Sequence, residues 1–336
     1  MKAAILGTGS WASAFGRHLC HKWERVVLWG IEADQVNSIN RTGTNPDFLG
    51  DITLPPNLRA TLDLDDCLRD ADVIFSVVPS QAVREVMGAV ASSANLPADI
   101  PVINLAKGFE VSTLKRLSEV ITEELAGHGS HPVGVLLGPS HAEEVALEMP
   151  TAVVLSGQAG ADWAHWQTWI SGPFFRVYTN EDMAGVEIAT GFKNIVALAV
   201  GMADGLGTGD NTRGTIMTRG MVELARLGTA LGGRTETFSG LAGIGDMITT
   251  CISRHSRNRN FGEAVTGSGQ DPQDLLTDQV QVVEGVFMTQ AALKLSEKHQ
   301  IELPITKQVH DVLFSSKPPR QAMRELMERQ LRPELD

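Results

Sequence analysis

Short apolar runs separated by helical patterns occupy the first half of the chain. The first run, Ala3 to Leu6, leads into Gly7 and Gly9, and apolar residues then recur at helical spacing as far as Leu19. Strands that alternate with helices form largely parallel sheets with right-handed crossovers. The pattern therefore predicts an α/β sheet, with further strands at 26–29, 72–78, 102–106, 133–137, 151–155 and 174–177.

From about Asn180 onward the strand pattern stops and helical periodicity takes over. We expect long helices at 185–203, 210–231, 283–299 and 305–314. Because 336 residues are about twice a common domain size, the change predicts a sheet domain at 1–180 and a helical domain at 181–336. Glu187 and Lys193 interrupt the most apolar helix, which favours a buried position over a membrane span.

The turn after the first strand matches a dinucleotide-binding fingerprint. Gly7 allows a tight turn, Gly9 lets the backbone approach a pyrophosphate, and the next helix presents its free N–H groups to the anion. Ala12 stands at the third glycine position and is small enough for the helix to lie close to the strand. These residues predict a Rossmann-type cofactor site, and a glycine turn without a ligand is the alternative interpretation.

The residues after the second strand bear on which cofactor binds. An acid at this position can bind the two ribose hydroxyls of NAD, whereas an arginine accommodates the additional phosphate of NADP. Glu32 and Asp34 lie here, and no Arg or Lys occurs before Arg41. The pattern favours NAD; alternatively, Glu32 is a solvated loop charge or an acid in the first turn of a helix.

Composition narrows the classes of partner and compartment. The formal net charge of -12 argues against binding to nucleic acid or to an anionic membrane surface. Cys20, Cys67 and Cys251 follow no metal-ligand or redox spacing, which is typical of reduced, mostly buried thiols in a cytoplasmic protein. Gly7 interrupts the first apolar run, so no signal peptide is expected. The nine histidines follow no ligand spacing either, and no metal is predicted.

Two lysines stand in apolar surroundings. Lys107 ends a predicted strand, and Lys193 lies beside Phe192 and Ile195 in a predicted helix. Desolvation or a neighbouring cation lowers the pKa of a lysine into the range that is useful for proton transfer. We interpret both as functional, since ligands gather beyond the carboxyl ends of parallel strands. The alternative is that each is a snorkelling or salt-bridged lysine.

The segment 253–259 concentrates groups that bind an anion. Arg257 offers a planar fork for phosphate or carboxylate oxygens, and Ser256 and Asn258 can add hydrogen bonds. A solvated basic loop is the alternative interpretation.

Glycine turns precede further polar groups. Asp246 follows a glycine-rich turn, where its carboxylate could hold a hydroxyl or a lysine. Gly138 to Ser140 resembles the entry to a helix whose N–H groups would face a substrate, with an ordinary capped helix as the alternative. Ser80 is expected to cap a helix that reaches Met87.

Eight sequence motifs follow one another along nearly the whole chain. They are GTGSWA (7–12), NLAKG (104–108), LLGPSHAEE (136–144), FRVYTNED (175–182), GFKN (191–194), GLAGIGD (240–246), SRNRNFG (256–262) and VVEG (282–285). With these motifs the chain resembles NAD(P)-dependent glycerol-3-phosphate dehydrogenases. The resemblance implies a Rossmann domain joined to an all-helical domain like that of 6-phosphogluconate dehydrogenases, and a homodimer. It also implies reversible reduction of dihydroxyacetone phosphate to sn-glycerol 3-phosphate, which feeds phospholipid synthesis.

By matching position, the resemblance implies roles for individual residues. Lys193 would accept the proton of the substrate's secondary hydroxyl, with Lys107 as a neighbouring cation and Asp246 as the third catalytic group. Lys107 would lower the pKa of Lys193, and Asp246 would raise it. Substrate contacts would come from Lys107, Gly138, Ser140, Lys193, Asp246, Thr250, Ser256, Arg257 and Asn258. Cofactor contacts would come from Gly7, Gly9, Ser10, Trp11, Glu32, Lys107, Ala142, Arg257, Val282 and Glu284.

The chain departs from the family pattern at the cofactor end. Gly30, Ile31 and Glu32 stand where many bacterial members have a basic residue, which leaves NAD or NADP as the cofactor and favours NAD. Two other functions stay open: a related dehydrogenase that acts on a hydroxy acid or hydroxyacyl thioester, and a catalytically silent dinucleotide-binding sensor. Lys107 and Lys193 count against the sensor, because a sensor needs no proton shuttle.

Overall fold

The structure is a computed structural model that describes residues 1–277 and 281–334. Its first half contains an eight-stranded sheet and a two-stranded hairpin. The strands are β1 (Lys2–Leu6), β2 (Arg25–Trp29), β3 (Leu58–Thr61), β4 (Val73–Ser76), β5 (Val102–Asn104), β6 (Phe109–Glu110), β7 (Lys115–Arg116), β8 (Val133–Leu137), β9 (Thr151–Gly157) and β10 (Phe175–Thr179).

The large sheet has the strand order β10-β9-β8-β5-β4-β1-β2-β3. Its neighbouring strands are parallel except for β8 and β9, which are antiparallel. The only helix in the link between them is the five-residue Ala142–Ala146, which is too short to cross the height of the sheet. Such a helix spans about 7.5 Å, whereas a five-residue strand spans about 16 Å. The chain therefore re-enters the sheet from the edge at which β8 ends.

Helices cover both faces of the sheet and bury two apolar cores. Phe15 packs against Phe75 in one core, with ring centroids 4.9 Å apart. Met87 and Val120 are fully buried in the other. The helices of this half are α1 (Ser10–Leu19), α2 (Ala33–Thr42), α3 (Pro46–Leu49), α4 (Leu64–Leu68), α5 (Val83–Ser92), α6 (Leu117–Glu124), α7 (Ala142–Ala146) and α8 (Trp163–Ile170).

The second half is helical and packs around one long central helix. Its helices are α9 (Met183–Gly205), α10 (Asp210–Ala230), α11 (Thr235–Phe238), α12 (Asp246–Ile252), α13 (Arg257–Gly267), α14 (Pro272–Thr277), α15 (Glu284–His299), α16 (Pro304–Phe314) and α17 (Pro319–Met327). Every residue of α9 from Gly185 to Ala203 is buried. Among the described residues α9 alone has the length and mean hydropathy to cross a membrane, and most of it is enclosed by its neighbours. The two halves together confirm the predicted fold class.

Helices α9 and α13 approach each other backbone to backbone. A Cβ on Gly201 would lie 1.9 Å from the carbonyl oxygen of Arg259, and a Cβ on Gly262 would lie 2.3 Å from that of Leu198. Any side chain at either position would separate the helices, so glycine is required at both. This contact fixes the start of α13 against the middle of α9.

Gly201→Ala should therefore loosen the helical half. We expect a loss of about 2–3 kcal/mol in the free energy of unfolding, because the methyl group must push α13 away. Gly214→Ala in α10 is the matched control, since in the described part of the chain its Cβ would meet nothing within 4 Å. There alanine should add about 0.5–1 kcal/mol through its better helix propensity. Urea unfolding of both variants checks this, and equal stabilities would contradict the close contact.

Candidate active site

A cleft of about 520 Å³ lies at the carboxyl edge of the parallel strands, between the sheet and the helical half. The turn after β1 lines one end, and Lys107, Lys193 and Asp246 line the other. Ligands of open α/β sheets bind at this edge. Every predicted site residue lines the cleft except Gly138, which lies behind Lys107 and contacts it through its carbonyl group.

Asp246 bridges the two lysines. Its Oδ1 accepts a hydrogen bond from Lys193 Nζ at 2.6 Å, and its Oδ2 accepts one from Lys107 Nζ at 2.9 Å. Lys193 also donates to the hydroxyl of Thr250, and Lys107 donates to the carbonyl of Gly138 at 2.9 Å. Lys193 is 4% exposed and Asp246 is 1% exposed. The cluster therefore places one buried amine and one partly exposed amine against a single buried carboxylate.

Burial decides the protonation of Lys193. Loss of solvation lowers the pKa of Lys193 to about 7, while Asp246 raises this pKa and Lys107 lowers it. Burial thus outweighs the attraction of Asp246, a balance that the sequence leaves open. Near neutral pH both protonation states of Lys193 are populated, so this amine can take up or release a proton.

The local fold explains the position of the bridging carboxylate. Asp246 is the first residue of α12, and a π-helical turn over Leu241–Gly245 comes directly before it. A Cβ on Gly243 would lie 1.9 Å from the carbonyl oxygen of Phe238, so this turn requires glycine. The glycine-rich stretch therefore directs Asp246 toward the two lysines.

Residues 256–258 supply hydrogen-bond donors at the start of α13. Asn258 donates through Nδ2 to Oδ1 of Asn194 at 2.9 Å, one residue beyond Lys193 in α9. The side chain of Ser256 caps α13 by accepting from the backbone N–H of Arg259. Arg257 is exposed and donates through Nη1 to the carbonyl of Val282 at 3.3 Å, and within residues 1–277 and 281–334 its other N–H groups have no partner. Those N–H groups are available to an anion.

The opposite end of the cleft fits a pyrophosphate. Gly7 has a φ of +129° and sits directly against the carbonyl of Val77, whereas a Cβ on Gly9 would meet none of the described atoms within 4 Å. Helix α1 begins at Ser10, so its first N–H groups open onto this space. Glu32 is exposed at the start of α2, and its side chain caps nothing in the described structure. Its carboxylate is thus accessible from the cleft.

Glu284 connects the two halves of the chain. Its carboxylate accepts hydrogen bonds from the backbone N–H of Ser80 at 3.0 Å and from the hydroxyl of Ser80 at 2.5 Å. Burial raises the pKa of Glu284. The predicted helix cap at Ser80 is therefore wrong: Ser80 begins a short 3-10 helix, and its hydroxyl is committed to Glu284. This wall of the cleft is therefore held from both halves: Ser80 of the sheet half binds Glu284, and Arg257 of the helical half binds the carbonyl of Val282.

Sequence reasoning missed two histidines of the cleft. His141 and His255 both line it, and their ring centroids are 6.2 Å apart. His141 directly follows Ser140, and His255 directly precedes Ser256. Both serines are predicted site residues, and this adjacency is the one sequence signal that could have identified the histidines. Among the residues that the structure describes, no three His, Cys, Asp or Glu side chains gather into a metal site.

Gly9→Ala should weaken dinucleotide binding while leaving the fold intact. The methyl group would occupy the space that the phosphates need, so we expect the Kd for NADH to rise at least about tenfold. Gly7→Ala is the matched comparison: its positive φ and its contact with Val77 should lower the free energy of unfolding by about 1–2 kcal/mol. Fluorescence titration and urea unfolding separate the two effects. Normal NADH affinity in Gly9→Ala would exclude the phosphates from this turn.

Comparison with known proteins agrees with this geometry. A family model described as NAD-dependent glycerol-3-phosphate dehydrogenase N-terminus matches residues 2–161, and the model of the C-terminus matches residues 182–324. The chain is 45% identical over 328 residues to a glycerol-3-phosphate dehydrogenase, NAD(P)+, of Pelotomaculum thermopropionicum, covering 98% of this chain and 93% of the relative. It is 44% identical over 335 residues to the protein of the same name from Prosthecochloris aestuarii, covering 100% of both.

A solved structure shows the same fold. The crystal structure of glycerol-3-phosphate dehydrogenase from Coxiella burnetii matches this chain with a TM-score of 0.92 and 39% identity, over 98% of this chain and 99% of the other. The two family models together, and each relative by itself, extend across the sheet and helical halves that form the cleft. The chain therefore belongs to the NAD-dependent glycerol-3-phosphate dehydrogenase family.

Proposed function

We propose that this chain reduces dihydroxyacetone phosphate to sn-glycerol 3-phosphate, and catalyses the reverse oxidation, with a nicotinamide dinucleotide. The Lys193–Asp246–Lys107 bridge is the observation that carries the proposal. It sets an amine of near-neutral pKa in the wall of a cleft that also offers phosphate-binding donors and a turn suited to a pyrophosphate. The proposed physiological role is the supply of glycerol 3-phosphate for phospholipid synthesis.

Lys193 moves the proton in both directions. During oxidation its neutral amine accepts the proton of the C2 hydroxyl, while the hydrogen on the same carbon leaves with its electron pair as hydride. A bound nicotinamide supplies the hydride acceptor, or the hydride donor in the reverse direction. During reduction the Lys193 ammonium donates its proton to the developing alkoxide and stabilises the negative charge.

Asp246 positions the two amines, and each amine keeps one N–H group for a ligand. An ammonium has three N–H groups. Among contacts with described residues, Lys193 uses two, on Asp246 and Thr250, and Lys107 uses two, on Asp246 and Gly138. The remaining N–H of Lys193 faces the C2 oxygen in our proposal, and that of Lys107 contacts substrate or cofactor.

The phosphate of the substrate binds at the start of α13. Arg257 offers a planar fork with unpartnered N–H groups in the described structure, and Ser256 and Asn258 lie on either side of it in sequence. In our proposal Ser140 contacts the substrate from the sheet side. Gly138 acts indirectly, because its carbonyl oxygen accepts a hydrogen bond from Lys107.

The dinucleotide lies along the sheet end of the cleft. Gly7 and Gly9 form the pyrophosphate turn, and an acidic Glu32 without a nearby Arg or Lys favours NAD over NADP. The further cofactor contacts are Ser10, Trp11, Ala142, Val282 and Glu284. We assign cofactor binding to residues 1–180 and substrate binding to residues 181–336, and we propose a cytoplasmic homodimer.

The decisive experiment is the oxidation of NADH and, separately, NADPH by the purified chain with dihydroxyacetone phosphate. We expect turnover with both and a higher kcat/KM with NADH, because the Glu32 carboxylate repels the 2′-phosphate of NADPH. Glu32→Gln should bring the kcat/KM values for NADH and NADPH closer together. A preference for NADPH would overturn the assignment of Glu32. No turnover with either cofactor, together with normal cofactor binding, would instead point to a hydroxy-acid dehydrogenase or a silent sensor.

Lys193→Met removes the amine but keeps the length of the side chain. We expect kcat to fall by about 10²–10⁴-fold, the usual contribution of general acid–base catalysis, while NADH affinity persists. In the unaltered chain, kcat/KM for reduction should fall as pH rises through about 7, because the ammonium form donates the proton. The kcat/KM for oxidation should rise over the same range, because the neutral amine accepts the proton. Lys294→Met, at an exposed lysine of α15, is the matched control. Near-normal turnover in Lys193→Met would remove Lys193 from its proposed role.

A further inference from the structure

Asn45 is a fully buried polar residue beside the glycine turn between β1 and α1. It directly precedes α3, yet its side chain caps no N–H group of that helix. Instead its Nδ2 donates to the carbonyl oxygen of Thr8 at 2.7 Å and to the hydroxyl of Ser13 at 2.8 Å. Thr8 is the middle residue of the glycine turn. Asn45 therefore holds this turn from a segment 37 positions further along the chain.

The chemistry of its partner fixes the orientation of the Asn45 amide. A carbonyl oxygen only accepts hydrogen bonds, so the amide atom beside the Thr8 oxygen must be the nitrogen. The Asn45 Oδ1 is buried and accepts from no group within the described ranges 1–277 and 281–334. A buried oxygen without a donor costs stability. Asn45 therefore acts on its surroundings through its N–H groups.

The bond from Asn45 fixes the peptide group that joins Thr8 to Gly9. In a planar trans peptide the C=O and the N–H point in opposite directions. The Thr8 oxygen points into the protein, toward the buried Asn45 amide. The N–H of Gly9 therefore points outward, and it has no partner in the part of the chain that the structure describes. Since Gly9 lines the cleft, this N–H is directed to the place that we assign to the pyrophosphate.

The glycine at position 9 makes this peptide group easy to turn over. Such a rotation changes ψ of Thr8 and φ of Gly9, and glycine accepts a positive φ at little steric cost. The rotated peptide would present the Thr8 carbonyl oxygen to the pyrophosphate and withdraw an N–H donor from it. The Ser13 hydroxyl also donates to the Thr8 oxygen, at 3.3 Å. The shorter bond from Asn45 is the stronger restraint on the peptide.

We propose that Asn45 is a positioning residue for the cofactor, because it holds the peptide between Thr8 and Gly9 with the Gly9 N–H facing the pyrophosphate. The inference rests on the proposed function, since it concerns the dinucleotide site assigned there. It explains why an asparagine at the start of α3 leaves that helix without a side-chain cap. Asn45 is not among the described residues that line the cleft, so it acts on the dinucleotide only through the turn.

The test removes the amide and measures the affinity for NADH. In Asn45→Ala we expect the KM and the Kd for NADH to rise about five- to tenfold, the effect of losing one supporting hydrogen bond. At saturating NADH, kcat and the KM for dihydroxyacetone phosphate should stay within about twofold of those of the unaltered chain. A merely structural role would give the opposite division, because partial misfolding lowers the amount of active enzyme and leaves both KM values unchanged.

Asn57→Ala is the matched control at the other end of α1. The Nδ2 of Asn57 also donates two hydrogen bonds, to the carbonyl of Cys20 at 3.2 Å and to that of Trp23 at 2.8 Å. Both carbonyls lie just beyond the last residue of α1, far along the helix from the glycine turn. Asn57→Ala should therefore lower the free energy of unfolding without changing the KM for NADH.

Ser13→Ala is a milder variant that keeps Asn45 and serves if Asn45→Ala does not fold. It removes the acceptor of one Asn45 N–H and the weaker donor to the Thr8 oxygen. We therefore expect the KM for NADH to rise about two- to threefold.

An unchanged KM for NADH in folded Asn45→Ala would overturn the role of Asn45, as would an equal rise in Asn57→Ala. If Asn45→Ala does not fold, an unchanged KM in Ser13→Ala would overturn it. A chain that binds NADH but does not reduce dihydroxyacetone phosphate would overturn the proposed function alone, and the Kd for NADH in the same variants would then decide the role of Asn45. An unaltered chain that does not bind NADH would overturn both.

Discussion

Where the sheet meets the helical half, one carboxylate binds two amines, and this contact constrains the structure around it. Asp246 and Lys193 are buried, and Lys107 is partly exposed to the cleft. Lys107 follows β5, Lys193 lies inside α9, and Asp246 begins α12. An isolated charge in such a place costs several kcal/mol, and breaking a buried pair costs comparably. The two halves of the chain can therefore dock well only when all three groups meet. Docking and assembly of the reactive cluster are the same event.

The wall on the α15 side is held by similar cross-connections. Glu284 receives two hydrogen bonds from Ser80 in the sheet half. Arg257 and Asn258 hold Val282 and Gly285 from within the helical half. The residues that we assign to the phosphate thus also support the wall that we assign to the cofactor. A change at this wall is transmitted to both ligands through a few short bonds.

The sequence predicts the parts of this arrangement that depend on neighbouring residues. The turn at Gly7 and Gly9 and the long helices at 185–203 and 210–231 follow from local patterns, and the structure places those helices at 183–205 and 210–230. The edge strand β3 escapes prediction because only Leu58 and Ala60 are buried in it. β6 and β7 escape because each has two residues.

Contacts between distant residues lie beyond local patterns. Ser80 and Glu284 are 204 positions apart, so no spacing rule joins them, and a serine after a strand reads as a helix cap instead. The two lysines are conspicuous in the sequence because they interrupt apolar runs. The extent to which burial lowers the pKa of Lys193 cannot be inferred from the sequence, because it depends on how completely the other helices enclose α9.

The reversal of β9 determines where the long helix begins. Since β10 is parallel to β9, its last residue, Thr179, lies at the edge of the sheet away from the cleft, and α9 starts there. Ten residues of helix advance about 15 Å, close to the height of a five-residue strand. Lys193 therefore lies at the cleft in the middle of α9, with helical turns before and after it. If β9 and β10 ran parallel to β8, α9 would begin at the cleft, and its tenth residue would lie about 15 Å away from it.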